Sequence, residues 1–128
     1  MNEYKVFVCK HCGKIIEVFP NTHCCPTICC GEPMVELKAN TTDAATEKHV
    51  PAVEVNGNTV NVQVGSIAHP MTEAHHIAFV TLITDKSVMR HDFNHTDEPV
   101  ATFTLGADEK PLKVYEYCNL HGLWVKEL

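Results

Sequence analysis

Near the C-terminus, Cys118 and His121 stand three residues apart in Tyr117-Cys118-Asn119-Leu120-His121-Gly122, a step that puts a thiol and an imidazole within reach of one metal ion. One pair does not fill a coordination sphere. Three histidines upstream stand at turn-like breaks: His49 before Val50-Pro51, His69 before Pro70, and His75 after Pro70-Met71-Thr72-Glu73-Ala74. Together these five residues offer four nitrogens and one sulfur. Structural zinc takes four ligands from cysteine and histidine, so five donors point elsewhere. A nitrogen-rich set with a single thiolate suits iron, and a thiolate opposite an open position pushes electron density toward whatever binds there.

Each of these residues also has a plainer reading. A lone cysteine in a β-domain is often inert core, and a lone histidine such as His49 is usually a surface residue. Their claim rests on company. His69 is held extended by the ring of Pro70, which suits a loop ligand. His75 and His76 are adjacent and cannot both face one ion from an extended backbone, so one is a bystander. His11, His23, His91 and His95 are assigned to solvated loops. A blue-copper site also sets cysteine near histidine at the end of a β-sandwich, but it expects a methionine shortly after, and none follows His121.

A second group of donors lies at the other end. Of seven cysteines, six fall in the first thirty residues, in Cys9-Lys10-His11-Cys12-Gly13, Cys24-Cys25 and Cys29-Cys30-Gly31. A Cys-x-x-Cys turn followed by glycine aims backbone amides at the sulfurs, and one further pair completes a four-sulfur site for iron or zinc. Spacing does not choose between Cys24-Cys25 and Cys29-Cys30. The surplus pair reads as free loop thiols in preference to a redox-active or alternative ligand pair, because reactivity requires a particular environment. A disulfide knot is the alternative, disfavoured because no secretory leader is seen and clustered thiols in a reducing cytoplasm bind metal more often than they pair.

The elements that must position these groups follow from composition and pattern. In a chain of 128 residues, clustered cysteines favour a small metal-stapled module, residues 1–37, followed by a larger domain, residues 38–128. The stretch 38–48 is polar and small, as a linker or a short helical turn would be. Beyond it, Val53–Val55 and Val60–Val64 alternate across Asn56-Gly57, and further runs follow at Ile77–Ile83, Val88–Phe93, Val100–Leu105, Leu112–Tyr117 and Leu123–Val125. About seven short strands without a long helical period predict an antiparallel β-sandwich. The net charge of -6 weighs against a nucleic-acid partner, and no stretch has the length of a membrane span. The same charge repels anions at long range, so an anionic substrate would need a local positive patch.

In order along the chain, Cys9-x-x-Cys12-Gly13, Cys29-Cys30-Gly31-Glu32-Pro33-Met34, Glu47-Lys48-His49-Val50-Pro51, His69-Pro70-Met71, His75 and Cys118-Asn119-x-His121-Gly122-Leu123-Trp124 together resemble desulfoferrodoxin, the two-iron superoxide reductase family. The resemblance implies a mainly β protein: a desulforedoxin-like, rubredoxin-related metal knuckle and then an immunoglobulin-like sandwich. It implies two mononuclear irons. Cys9, Cys12, Cys29 and Cys30 would hold the first, while His49, His69, His75 and His121 would lie in the plane of the second with Cys118 axial. The implied activity is one-electron reduction of superoxide to hydrogen peroxide with electrons from a donor such as rubredoxin, in a cytoplasmic homodimer. Lys48 would supply the local positive charge and assist protonation, and Glu47 would occupy the open position of the oxidised centre. Cys24 and Cys25 depart from the family pattern. The competing readings are a non-enzymatic zinc-binding module and a pure electron-transfer protein.

Overall fold

Short apolar runs broken by turn residues leave this chain few ways to bury itself except by pairing strands. The computed structural model describes residues 4–19, 25–41, 46–65, 67 and 69–128, without the side chains of residues 46 and 47. Two compact units form, Met1–Lys38 and Ala39–Leu128.

In the first unit β1 (Lys5–Val8), β2 (Ile15–Val18) and β5 (Val35–Glu36) make a sheet in the order β2-β1-β5, and β3 (Ile28–Cys29) pairs with β4 (Glu32–Pro33). Val6 and Val8 alternate inward along β1, and with Cys9 and Met34 they are the buried apolar residues among the described residues here. So small a core leaves folding dependent on another source of free energy, such as a metal. The turn joining β3 to β4 holds Cys30 at φ 52° and Gly31 at φ 78°, the two left-handed residues of a type I′ turn. A non-glycine residue seldom takes that conformation, and Cys30 takes it where its sulfur meets three others.

The second unit opens with one helical turn, α1 (Thr46–His49), followed by β6 (Pro51–Asn56), β7 (Thr59–Val64), β8 (Ile77–Thr84), β9 (Val88–Asp92), β10 (Val100–Thr104), β11 (Pro111–Cys118) and β12 (Gly122–Glu127). These are the seven expected strands. They form two antiparallel sheets, β10-β7-β6 and β12-β11-β8-β9, the three-plus-four arrangement of an immunoglobulin-like sandwich. Pro51, which cannot donate a ladder hydrogen bond, begins an edge strand, where it is tolerated. The first hairpin differs from expectation by one position. Asn56 pairs with Thr59, so Gly57-Asn58 and not Asn56-Gly57 is the central pair. Gly57 has φ 60°, the glycine-first geometry of a type II′ turn.

Alternation aims Val60, Val62 and Val64 of β7 and Ala101 and Phe103 of β10 at Ile77, Val80 and Leu82 of β8 and Val114 and Cys118 of β11. Each large apolar side chain so buried contributes about 1.5–3 kcal/mol. Cys118 belongs to this core, so the site grows directly out of the packed interior of the sandwich.

At the β8–β9 turn, the Glu109 carboxylate accepts hydrogen bonds from the hydroxyls of Ser87 and Thr84 and, at 2.8 Å, from the Gly106 amide. Lys110 N–H donates to Asp85 Oδ1 at 2.9 Å, and Asp85 N–H returns the contact to Lys110 O at 3.0 Å. These donors, Ser87 first, hold Glu109 below the usual carboxylate range, at about 2. A folded-state pKa below the unfolded one adds stability above the unfolded value and loses it as pH falls toward the folded value. The thermal midpoint is therefore expected to drop between about pH 4.5 and about pH 2, and Glu109→Gln is expected to flatten that drop. Identical acid limbs in thermal melts of the two proteins would exclude this role.

Candidate metal centres

In the first unit, sulfurs of Cys9, Cys12, Cys29 and Cys30 all lie within 4.8 Å of one another. The knuckle is closed by Cys9 N–H to Lys14 O at 2.8 Å and Gly13 N–H to Cys9 O at 2.9 Å, and Cys12 N–H points at Cys9 Sγ from 3.5 Å. Cys12 Sγ and Cys29 Sγ are 3.7 Å apart. Two sulfurs each ~2.3 Å from one ion at the tetrahedral angle would lie about 3.8 Å apart, so the spacing fits a metal. The thiols interact strongly. The Cys12 amide, above all, brings Cys9 down to about 6, while Cys9 and Cys12 push Cys30 up to about 12 and Cys29 upward as well. Four crowded sulfurs cannot all ionise unless a cation compensates them. Cys25 is exposed and outside this cluster, and Cys24 lies outside the described residues. All described cysteines are free thiols.

In the second unit, three pieces of chain converge. α1 ends at His49 just before β6. Ahead of it, Asn40 is fastened to β12, its side-chain amide donating to Val125 O at 3.3 Å and its Oδ1 accepting from Val125 N–H at 3.0 Å. The loop preceding β8 carries His69 and His75, and Thr72 Oγ1 accepts from His75 N–H at 3.1 Å. The β11–β12 turn carries Cys118 and His121. Asn119 stitches that turn to the histidine loop: its Oδ1 accepts from His76 N–H at 2.9 Å, and its amide donates to Ala74 O at 3.0 Å.

The four imidazoles close a ring. Centroid separations are 4.7 Å for His49–His69, 4.7 Å for His69–His75, 5.0 Å for His75–His121 and 4.8 Å for His121–His49, and successive planes meet at 79° to 87°. His49 Nε2 is 3.1 Å from His69 Nε2 and 3.0 Å from His121 Nδ1. Nitrogens ~2.1 Å from one ion and at right angles to each other lie roughly 3.0 Å apart. His69 Nδ1 is 2.7 Å from Pro70 O. A carbonyl only accepts, so Nδ1 carries the proton and Nε2 turns a lone pair inward. His75 Nε2 is buried with no hydrogen-bond partner, which leaves it a lone pair for an ion. Cys118 Sγ is 3.9 Å from His121 Nδ1, and Cys118, His49, His75 and His121 place their donor atoms within 4.8 Å of one another. His69 joins this set through its contact with His49. These residues fit a metal.

Burial, against the pull of the Pro70 carbonyl and with help from the neighbouring rings, pushes His69 down to about 4. Burial, then His121, His49, His76 and Lys48, lowers His75 as well. Rings kept neutral are rings able to ligate. Lys48 is exposed at the end of α1, close enough for its charge to reach His75. The side chain of Glu47 lies outside the described residues. His76, the bystander of the adjacent pair, has Nδ1 3.1 Å from Thr72 O and its ring 6.3 Å from that of His95. His11 is exposed and pairs with Glu32 at 2.9 Å, His91 packs on Phe93, and His23 lies outside the described residues.

The profile of the desulfoferrodoxin family matches residues 41–127. The chain belongs to the desulfoferrodoxin family. It is 46% identical over 123 residues to a desulfoferrodoxin of Syntrophotalea carbinolica, covering 96% of this chain and 95% of that one. With a desulfoferrodoxin of Nitratidesulfovibrio vulgaris it shares 43% over 126 residues, 98% of each chain. Its structure is similar to the superoxide reductase from Treponema pallidum, with TM-score 0.84 and 38% identity over 98% of this chain and 100% of that one. Membership in the desulfoferrodoxin family, with a four-cysteine set and a histidine–cysteine set in the same chain, is consistent with two mononuclear iron centres.

Sequence reasoning gave no role to two residues beside the second set. Trp124 is 1% exposed, and its indole stacks on His49 with centroids 4.9 Å apart and planes at 25°. Glu116, opposite Trp124 in the β11–β12 ladder, is fully buried with neither carboxylate oxygen paired, and burial pushes its carboxyl well above the usual range. The signal for Glu116 was a charged residue between Val114 and Cys118, positions whose two-residue spacing places all three on one face.

Proposed function

We propose that this protein is a superoxide reductase, reducing superoxide by one electron to hydrogen peroxide at a centre formed by His49, His69, His75, His121 and Cys118. The observation that carries the reading is the closed ring of four imidazoles with the Cys118 thiol beside it. Superoxide reductases among its relatives support the choice of substrate, the Treponema pallidum protein included. Iron held by these donors would supply the electron, and the Cys118 thiolate would make the centre a better electron donor. Cys9, Cys12, Cys29 and Cys30 would hold the second iron.

The protein's own residues account for substrate capture. Superoxide is a small anion, and a chain of net charge -6 repels it at long range. Lys48 offsets that field beside the His75 ring and, directly or through a water, hands a proton to the departing product. Glu47 would give its carboxylate to the oxidised centre. Electrons would come from a rubredoxin-like donor. The reading includes a homodimer and, since clustered thiols kept for metal binding suit a reducing compartment, a cytoplasmic setting. No described helix is long and apolar enough to cross a membrane.

Metal analysis followed by pulse radiolysis of the reduced protein tests the assignment. Iron in both sites and rapid second-order consumption of superoxide are expected. Zinc alone, or iron unreactive toward superoxide, would return the sandwich to a structural or electron-transfer role. Lys48→Ala is expected to slow the second-order step roughly tenfold and to alter its ionic-strength dependence, as loss of a steering charge does, while Lys48→Arg retains both. A rate and salt slope unchanged in Lys48→Ala would rule out steering by this residue.

A further inference from the structure

His49 ends a helix of four residues, too short to hold a side chain by its own stability. The last torsion of an imidazole is broad and roughly two-fold, so something outside α1 must fix the plane of that ring. His121 faces the cluster through Nδ1, the nitrogen nearer its own backbone, so its position follows the backbone of the β11–β12 turn. The two rings come from positions 72 residues apart, yet their nitrogens are 3.0 Å from each other.

Trp124 touches both. Its ring lies against His49 at 4.9 Å and 25°, and its indole N–H donates to the His121 carbonyl at 3.1 Å. It is 1% exposed and anchored in β12 opposite Glu116, on the strand that leaves the ligand turn. We propose that Trp124 is a positioning residue of the sandwich centre, holding His49 by stacking and His121 by its indole hydrogen bond. The two handles are chemically separable: one uses the aromatic face, the other the N–H. The inference rests on the metal-centre reading above and adds to it a residue that touches neither metal nor substrate.

Three full-length proteins test it: Trp124→Leu, Trp124→Phe, and a protein carrying benzothienylalanine at position 124, in which sulfur replaces the indole N–H with almost no change of shape. Cobalt(II) affinity of the metal-free protein and the thiolate-to-iron band of the iron-loaded one are measured, with the four-cysteine absorption in the same sample as internal reference. Loss of a group that orients a metal-bound histidine typically weakens metal binding ~10–100-fold. The benzothienyl and Phe proteins are expected near the lower figure and the Leu protein near the upper, each with a displaced sandwich band and unchanged four-cysteine bands. The benzothienyl protein decides the hydrogen-bond role even if Leu and Phe fail to fold. Wild-type affinity and band position in that protein would overturn the hydrogen-bond role. Unchanged values in folded Phe and Leu variants would overturn the stacking role. A wild-type protein with no metal in the sandwich would instead overturn the functional reading itself.

Discussion

Cys118→Ser is expected to abolish the thiolate-to-iron absorption of the sandwich centre while leaving that of the four-cysteine centre intact. Cys118 is fully buried, and burial raises its thiol, opposed by the amides of Leu120 and His121 that point at the sulfur. A thiol so placed stays protonated unless a cation displaces the proton, as a bound metal does. Serine keeps the shape but its hydroxyl resists ionisation, so the fifth donor is lost. The fall in superoxide turnover is expected to exceed the ~10–100-fold typical of losing an outer partner of a metal ligand. Metal analysis, the visible spectrum and pulse radiolysis of one preparation check all parts together. A mutant with full activity and an unaltered spectrum would remove Cys118 from the centre.

The second large effect is expected at the opposite end of the chain. Cys29→Ser removes one of four sulfurs whose spacing fits a tetrahedral ion, Cys29 Sγ being 3.7 Å from Cys12 Sγ. The unit that contains it spans residues Met1–Lys38 and, among its described residues, buries little beyond Val6, Val8, Cys9 and Met34. Domains below about 40 residues seldom fold on a hydrophobic core alone, and a structural metal in a small module contributes about 10–16 kcal/mol. The mutant is therefore expected to lose the four-cysteine metal and the protection of the Val6 and Val8 amides against hydrogen exchange. The amides of Val80 and Leu82, in the core of the sandwich, should stay protected. Persistent protection of β1 without metal would show that the small unit folds unaided.

Much of the architecture was legible because strand patterning is local. Val60, Val62 and Val64 alternate and all face the core, as a half-buried strand requires. The one-position difference at Gly57-Asn58 came from the turn, where glycine takes the place that demands positive φ. The choice between Cys24-Cys25 and Cys29-Cys30 was illegible from spacing. The hairpin of β3 and β4, with Cys30 in the left-handed region, carries Cys29 and Cys30 to Cys9 and Cys12.

By itself the sequence determined the kinds of chemistry available: soft and imidazole donors, few enough and grouped tightly enough to nominate two metal sites, and a strand rhythm to carry them. Metal coordination restricts ligands to a few residue types, so donors announce themselves. Only the tertiary structure decided that four imidazoles form a ring, that Trp124 stacks on His49, and that Glu116 lies buried opposite Trp124 in the ladder. Those facts depend on register between β11 and β12 and on the packing of loops distant in sequence. A slip of one residue would send Glu116, Cys118 and Trp124 to the other face.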